Sequence, residues 1–68
     1  MTDIVIKFGK RVKDIRLKKH LSQGKLAKIL DVHPSYISGI ERGLTNMSLK
    51  NIEKIAKSLN VSVIDLLK

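Results

Sequence analysis

The sequence predicts an all-α fold: a compact single domain of five helices that spans residues 1–68. Apolar residues recur every three or four positions along most of the chain, which is the spacing of one helix face. Serine or proline stands at four of the five expected helix starts, and glycine or asparagine stands at two expected ends. No strand pattern competes, apart from the short runs Ile4-Val5-Ile6 and Val61-Ser62-Val63.

Apolar periodicity and one capping serine predict the first two helices. The first extends from Ile4 to Lys19, with Lys and Arg on its other faces. Its apolar positions are Ile4, Phe8, Val12 and Ile15. Ser22 is a favourable N-cap for a second helix from Gln23 to Leu30, and Asp31 stands where the chain must then turn.

The only proline marks the start of the third helix. Pro34 restricts the preceding residue to extended dihedrals and suits a first helical position. We therefore expect this helix to run from Pro34 to Arg42, with Ile37 and Ile40 packed inward. Gly43 is well placed to end it.

Two further serines precede the last two helices. Ser48 can cap a fourth helix that Asn60 ends. The apolar stripe of this helix consists of Leu49, Ile52, Ile55, Ala56 and Leu59. Ser62, with Asp65 three residues later, resembles a capping box for a fifth helix from Val63 to Lys68.

Composition and charge narrow the classes of function. Fourteen Lys and Arg against six Asp and Glu give a net charge of +8, which favours polyanionic partners. One Phe, one Tyr and no Trp leave few stacking platforms for single-stranded nucleic acid. The longest apolar run, Ile4-Val5-Ile6, is too short for a signal sequence or a membrane span. We therefore expect a soluble protein of the cytoplasm.

Enzymatic and metal chemistry find little support in the sequence. There is no Gly-rich phosphate loop, no His-Glu-x-x-His spacing and no nucleophile with an evident base. Cysteine is absent, and His20 and His33 have no further ligand to complete a metal site. We expect neither an enzyme nor a bound cofactor, metal or small-molecule substrate.

The second and third helices, joined by a tight turn, form a predicted helix-turn-helix from Gln23 to Arg42. On a helical wheel, the arc opposite the apolar residues is small and polar. It consists of Ser35, Ser38, Gly39 and Arg42, with Pro34 and Tyr36 on its flanks. Small side chains permit close approach to base edges in a major groove, and Arg42 can reach a phosphate.

The segment that contains this helix-turn-helix resembles a known family. The run L-S-Q-G-K-L-A-K-I-L-D-V-H-P-S-Y-I-S-G-I-E-R-G, Leu21 to Gly43, is similar to the helix-turn-helix of phage repressors and Cro proteins. Its most specific elements are Ser22-Gln23, Leu26-Ala27, Ile37-Ser38, Glu41 to Gly43 and Leu59 to Ser62. The stretch Tyr36 to Gly43 looks most like controller proteins of restriction-modification systems, which are small dimeric regulators of transcription.

The resemblance implies roles for individual residues. Gln23 matches a position that contacts the DNA backbone or supports the recognition helix, and Arg42 and Asn46 match positions that contact the DNA backbone. Arg16 and Glu41 match a buried ion pair. Other matching positions face bases or adjacent phosphates: Pro34, Ser35, Tyr36 and Gly39. With the neighbouring Lys25, His33 and Ser38, the predicted DNA-binding set is Gln23, Lys25, His33, Pro34, Ser35, Tyr36, Ser38, Gly39, Arg42 and Asn46.

Two positions depart from many controller-like sequences. Arginine is common where Pro34 and Thr45 stand here, and neither of these residues can make a bidentate contact to guanine. The operator sequence does not follow from the resemblance.

We expect a homodimer on a palindromic operator, since a short chain has a marginal core and carries surplus apolar residues near its end. The predicted interface consists of Met47, Leu49, Val61, Val63, Ile64 and Leu67. One alternative is an antitoxin or adaptor that uses the same fold mainly to bind protein. Another, a basic helix on a membrane surface, is disfavoured because the core needs Phe8, Val12 and Ile15.

Overall fold

The computed structural model describes residues 3–68. Over this part of the chain the structure contains five α-helices and no strand, so the predicted all-α class is confirmed. The helices are α1 (Ile4–Lys18), α2 (Gln23–Leu30), α3 (Pro34–Glu41), α4 (Leu49–Leu59) and α5 (Val63–Leu67). Each helix starts where the sequence predicted.

Three helices end one residue earlier than predicted. Lys19, Arg42 and Lys68 follow the last helical residues of α1, α3 and α5. At Lys19 and Arg42 the backbone opens to ψ values of 7° and 0°. Their N–H groups still donate to carbonyls of the preceding turn, which is how an α-helix loosens at its end.

Serine side chains begin three of the helices, as predicted. Ser22, Ser48 and Ser62 each accept a hydrogen bond from a backbone N–H three residues later, at 3.0, 3.2 and 3.1 Å. Asp65 returns the interaction by accepting from the Ser62 N–H, so the predicted capping box is present. Asp3 caps α1 by accepting from the N–H of Val5 at 2.8 Å, a role that the sequence analysis did not assign. These local bonds satisfy N–H groups that have no partner within the helix.

Left-handed residues close the helix ends. Asp31, Gly43 and Asn60 have φ values of 59°, 73° and 58° at the ends that the sequence marked. His20, at 59°, does the same after α1. After α3 the N–H groups of Gly43 and Leu44 donate to carbonyls of the last turn, at 3.0 and 2.9 Å. Such bonds satisfy the last carbonyls of the helix and reverse the chain.

Every helix contributes to one apolar core. Its members are Phe8, Val12, Ile15, Leu26, Ala27, Ile37, Ile40, Ile55, Ala56, Leu59 and Leu66. Two residues predicted on apolar stripes are not buried, since Ile4 is 65% exposed and Leu49 is 79% exposed. Both lie in the first turn of their helix, and both line a shallow cavity of about 270 Å³ near Leu67. The core does not extend to these first turns.

Contact between α1 and α3 depends on a glycine. A Cβ at Gly9 would lie 2.1 Å from the backbone oxygen of Ile40 and 3.1 Å from backbone atoms of Glu41. The backbones therefore approach more closely than any other side chain would permit. This contact fixes the position of α3 against the longest helix.

Candidate nucleic-acid interface

The turn between α2 and α3 consists of Asp31, Val32 and His33. Asp31 adopts the left-handed conformation (φ 59°, ψ 48°), which Asp tolerates better than most residues. His33 is extended (φ −72°, ψ 143°), as expected before proline. The chain reverses within these residues and α3 packs on α2, so the predicted helix-turn-helix is present.

His33 has a structural role that its residue type did not indicate. Its Nδ1 accepts a hydrogen bond from the N–H of Ser35 at 3.1 Å and lies 2.8 Å from the Ser35 hydroxyl oxygen. An acceptor at this position satisfies a free N–H of the first helical turn. His33 therefore caps α3 and orients the turn that carries Pro34 and Ser35.

The exposed polar surface of α3 lies mainly at its two ends. Pro34 and Ser35 are exposed at the start, Arg42 is exposed just after the end, and Ser38 between them is half-buried. The Arg42 Nε donates to the Ser38 carbonyl at 3.4 Å. Short side chains at the start leave the backbone open to a base edge, and a guanidinium at the end suits a phosphate.

Gly39 does not lie on the outward arc that the helical wheel assigned to it. It is buried, and a Cβ there would come within 2.9 Å of the Thr45 hydroxyl oxygen. The chain after α3 folds back over this position, where the N–H of Leu44 donates to the Gly39 carbonyl at 2.9 Å. A helical wheel considers one helix by itself and does not include a loop that packs over it. In the structure, Gly39 makes room for the loop.

Tyr36 joins α3 to α4. Its side chain is half-buried and packs against the core, and its Oη accepts a hydrogen bond from Asn51 Nδ2 at 3.3 Å. Together with His33 and Lys54, these two residues line an open groove of about 500 Å³ beside the start of α3. Asn51 could not be identified from the sequence, because it lies on another helix than Tyr36 and no spacing rule connects the two residues.

A buried ionic network holds α3 to α1. Arg16 Nε and Nη2 donate to the two carboxylate oxygens of Glu41 at 2.6 and 3.1 Å. The side chains are 7% and 2% exposed, so the pair is buried. Arg16 Nη1 also donates to the Leu21 carbonyl at 2.6 Å. In residues 3–68 no buried side-chain nitrogen or oxygen lacks a hydrogen-bond partner. Full satisfaction of this kind is what a buried charge pair requires.

The same carboxylate also holds the first residue of α2. Gln23 is half-buried and donates from Nε2 to Glu41 Oε1 at 3.0 Å. The Gln23 amide is therefore oriented by α3 at the start of α2. Lys25 and Asn46, two further members of the predicted DNA-binding set, are both exposed.

The residues predicted for the dimer interface fall into two groups. Leu49, Ile64 and Leu67 are 79%, 70% and 43% exposed. The other three, Met47, Val61 and Val63, are half-buried and pack against the core. The last helix thus leaves apolar side chains in solvent, while its Leu66 is buried.

Comparison with known proteins identifies the family. Residues 12–66 match the helix-turn-helix family. The chain belongs to this family. Control protein C.BamHI of Bacillus amyloliquefaciens is 54% identical over 66 residues, 96% of this chain and 82% of that protein. Control protein C.MunI of a Mycoplasma species is 42% identical over 67 residues, 97% of this chain and 90% of that protein.

A solved structure agrees with the assignment. The restriction-modification controller protein C.AhdI of Aeromonas hydrophila has a TM-score of 0.86 and 42% identity, covering 91% of this chain and 94% of that one. The expected resemblance to controller proteins, based on Tyr36 to Gly43, is therefore confirmed. Within residues 3–68, none of the helices is long and apolar enough to cross a membrane.

Proposed function

We propose that this chain is a transcription regulator of the restriction-modification controller type that binds duplex DNA in the cytoplasm, without catalytic activity. The observation that supports the proposal most strongly is the way in which α3 packs against the rest of the domain. Its polar ends are exposed, while Gly9 and the Arg16–Glu41 pair hold its inner face against α1. A helix held in this way can enter a major groove without losing its own packing.

The predicted DNA-binding residues include two groups of different chemistry. Ser35 and Tyr36, at the start of α3, have hydroxyl groups suited to base edges or adjacent phosphates. Arg42, Lys25 and Asn46 are exposed donors suited to phosphates, which bind without reading sequence. A net charge of +8 favours the approach of this surface to DNA.

Assembly as a homodimer would complete the site. Leu49, Ile64 and Leu67 are exposed apolar residues that a second copy, related by a two-fold axis, could cover. Two recognition helices would then face half-sites about one helical turn apart, ~34–36 Å, in a palindromic operator.

Competition binding with selected and random duplexes, repeated at several salt concentrations, tests the proposal. Arg42→Ala is expected to weaken binding to both duplexes equally and to lower the slope of log K against log salt by about one. Ser35→Ala is expected to change sequence preference instead. Lys10→Ala, which removes an exposed cation of α1 outside the helix-turn-helix, is the control.

The same assay distinguishes the adaptor alternative. An adaptor would bind both duplexes weakly, with no preference between them. A change in specificity but not in salt slope for Arg42→Ala would contradict the phosphate role of Arg42.

A further inference from the structure

The hydrogen bond between Asn51 and Tyr36 connects α4 to the start of the recognition helix. Asn51 is the third residue of α4, and its own backbone N–H donates to the Ser48 hydroxyl at 3.2 Å. The capped first turn of α4 therefore holds Asn51 in place. From there its Nδ2 donates to Tyr36 Oη at 3.3 Å.

The direction of this bond decides what the tyrosine hydroxyl can do next. A phenol has one proton to donate, whereas its oxygen can accept. Since Asn51 supplies the proton of the bond to Tyr36, the phenol proton remains free for another partner. That partner must be an acceptor. Duplex DNA offers acceptors as phosphate oxygens and, in the major groove, as guanine N7 and O6, adenine N7 and thymine O4.

We propose that Asn51 is a positioning residue for sequence recognition, which holds the Tyr36 ring and directs its hydroxyl proton to an acceptor on DNA. This inference rests on the proposed function. It assigns a part in specificity to α4, outside the helix-turn-helix. Both side chains are half-buried, and neither belongs to the buried core. Their bond can therefore be altered without opening the core.

Asn51→Asp is the decisive variant. Asp is close to Asn in size but has no amide donor, and its carboxylate would accept a hydrogen bond from the Tyr36 hydroxyl. On a duplex selected from a random pool by the wild-type protein, we expect the affinity ratio of selected to random duplex to fall about fivefold to tenfold. Tyr36→Phe, which lacks the hydroxyl, should show a loss of similar size.

Thermal denaturation separates this role from a structural one. An acidic residue in the first turn of a helix is favourable, so Asn51→Asp is expected to melt no lower than the wild type. Asn60→Asp is the matched control, because it adds the same charge at the other end of α4, where φ is 58° and Asp is tolerated. It should leave the ratio of affinities unchanged.

A double variant tests whether Asn51 acts through the tyrosine. In a Tyr36→Phe background, Asn51→Asp should change the ratio by less than about twofold. Duplexes with 7-deazapurines or with methylphosphonate linkages then show whether the acceptor is a purine N7 or a phosphate oxygen. In either case the sensitivity should be present in the wild type and absent in Tyr36→Phe.

Two outcomes would overturn the proposal. If Asn51→Asp kept the wild-type ratio, or reduced it equally with and without the tyrosine hydroxyl, Asn51 would not act through Tyr36 although the proposed function would stand. If the wild type itself had no preference among duplexes, both the proposed function and this inference would fail.

Discussion

α3 and α5 both pack against α1, but through different kinds of contact. α3 meets α1 at Gly9 and at a buried, bidentate ion pair between Arg16 and Glu41. α5 has five residues and receives one hydrogen bond from α1, in which Arg11 Nε donates to the Asp65 carbonyl at 2.7 Å. Contacts with α3 thus demand exact geometry, whereas α5 relies mainly on one buried leucine, Leu66.

This difference matches what each helix does in the proposed complex. The helix that enters DNA must be rigid before binding, because any freedom it has must be lost on association. A helix of five residues is too short to be stable alone and gains from a partner. The first two predictions test the rigid junction, and the last two test the C-terminal helix.

Loss of one partner of the buried pair is expected to have the largest effect. Glu41→Ala leaves the Arg16 guanidinium buried without its counter-ion and also removes the partner of Gln23. Such changes typically cost ~3–5 kcal/mol of unfolding free energy. Arg11→Ala is the control, because it removes the hydrogen bond that Arg11 of α1 donates to the Asp65 carbonyl of α5. It should cost less, since that bond is only part-buried and its acceptor is uncharged.

Urea denaturation of Glu41→Ala, Arg16→Met and the double variant measures the coupling. The double variant should be more stable than the sum of the single losses implies. Additive losses below about 1 kcal/mol would mean that the pair behaves as an exposed one.

Gly9→Ala is expected to have the next largest effect. The new methyl carbon would lie 2.1 Å from the Ile40 carbonyl oxygen, so α1 and α3 must separate. Overpacking of this kind costs about 1–3 kcal/mol or more, which outweighs the roughly 0.5–1 kcal/mol gained by replacing a helical glycine. Gly24→Ala on α2, where a Cβ would make only an ordinary contact with Ser22 Oγ at 3.9 Å, should show that gain alone.

Thermal melts of both variants give the comparison directly. Equal stability of the Gly9 and Gly24 variants would show that the α1–α3 contact adjusts freely, and α3 would then be no more rigidly held than α5.

How much the sequence predicted depended on the range of the interaction. Serine caps and the turn at Asp31 were predictable because both partners lie within a few residues of each other. Gly9 was missed because its constraint comes from the backbone of α3. The Tyr36–Asn51 bond was missed because its two side chains lie on different helices, 15 positions apart. Arg16 and Glu41 were paired only through resemblance to a family, since spacing alone does not relate residues 25 positions apart.

The sequence pattern also could not predict which apolar residues near the helix starts are buried. Periodicity placed Ile4 and Leu49 on apolar faces, yet both are exposed because their first turns extend past the core. A periodic pattern shows which face is apolar but not what lies opposite it. Among the dimer candidates, the same limit applied to Val61 and Val63, which are half-buried.

Substitution of the exposed apolar residues of α5 tests its dependence on a partner. Ile64→Lys and Leu67→Lys are expected to weaken self-association, because they place a charge on the apolar surface that a second copy would cover. Ile29→Lys is the control, since Ile29 on α2 is 52% exposed and outside the predicted interface. Sedimentation equilibrium measures the effect. A wild type that stays monomeric at high micromolar concentration would contradict the dimer proposal.

The pH dependence of the α5 cap is expected to be the smallest effect. Hydrogen bonds from the Ser62 N–H and then its hydroxyl hold the pKa of Asp65 below the ordinary value of 3.8, and the charges of Lys68 and Arg11 act in the same direction. An acid with a lowered folded-state pKa stabilises the fold fully above its unfolded pKa and loses that contribution as pH falls through the folded value. The Tm difference between wild type and Asp65→Asn should therefore be constant from neutral pH to about pH 5 and shrink below about pH 3.8. Ser62→Ala, which removes the hydroxyl donor, should reduce that pH dependence. A Tm difference that grew on acidification would mean that the hydrogen bonds from Ser62 do not stabilise the Asp65 carboxylate. The stability of α5 would then depend even more on a second copy of the chain than the comparison with α3 implies.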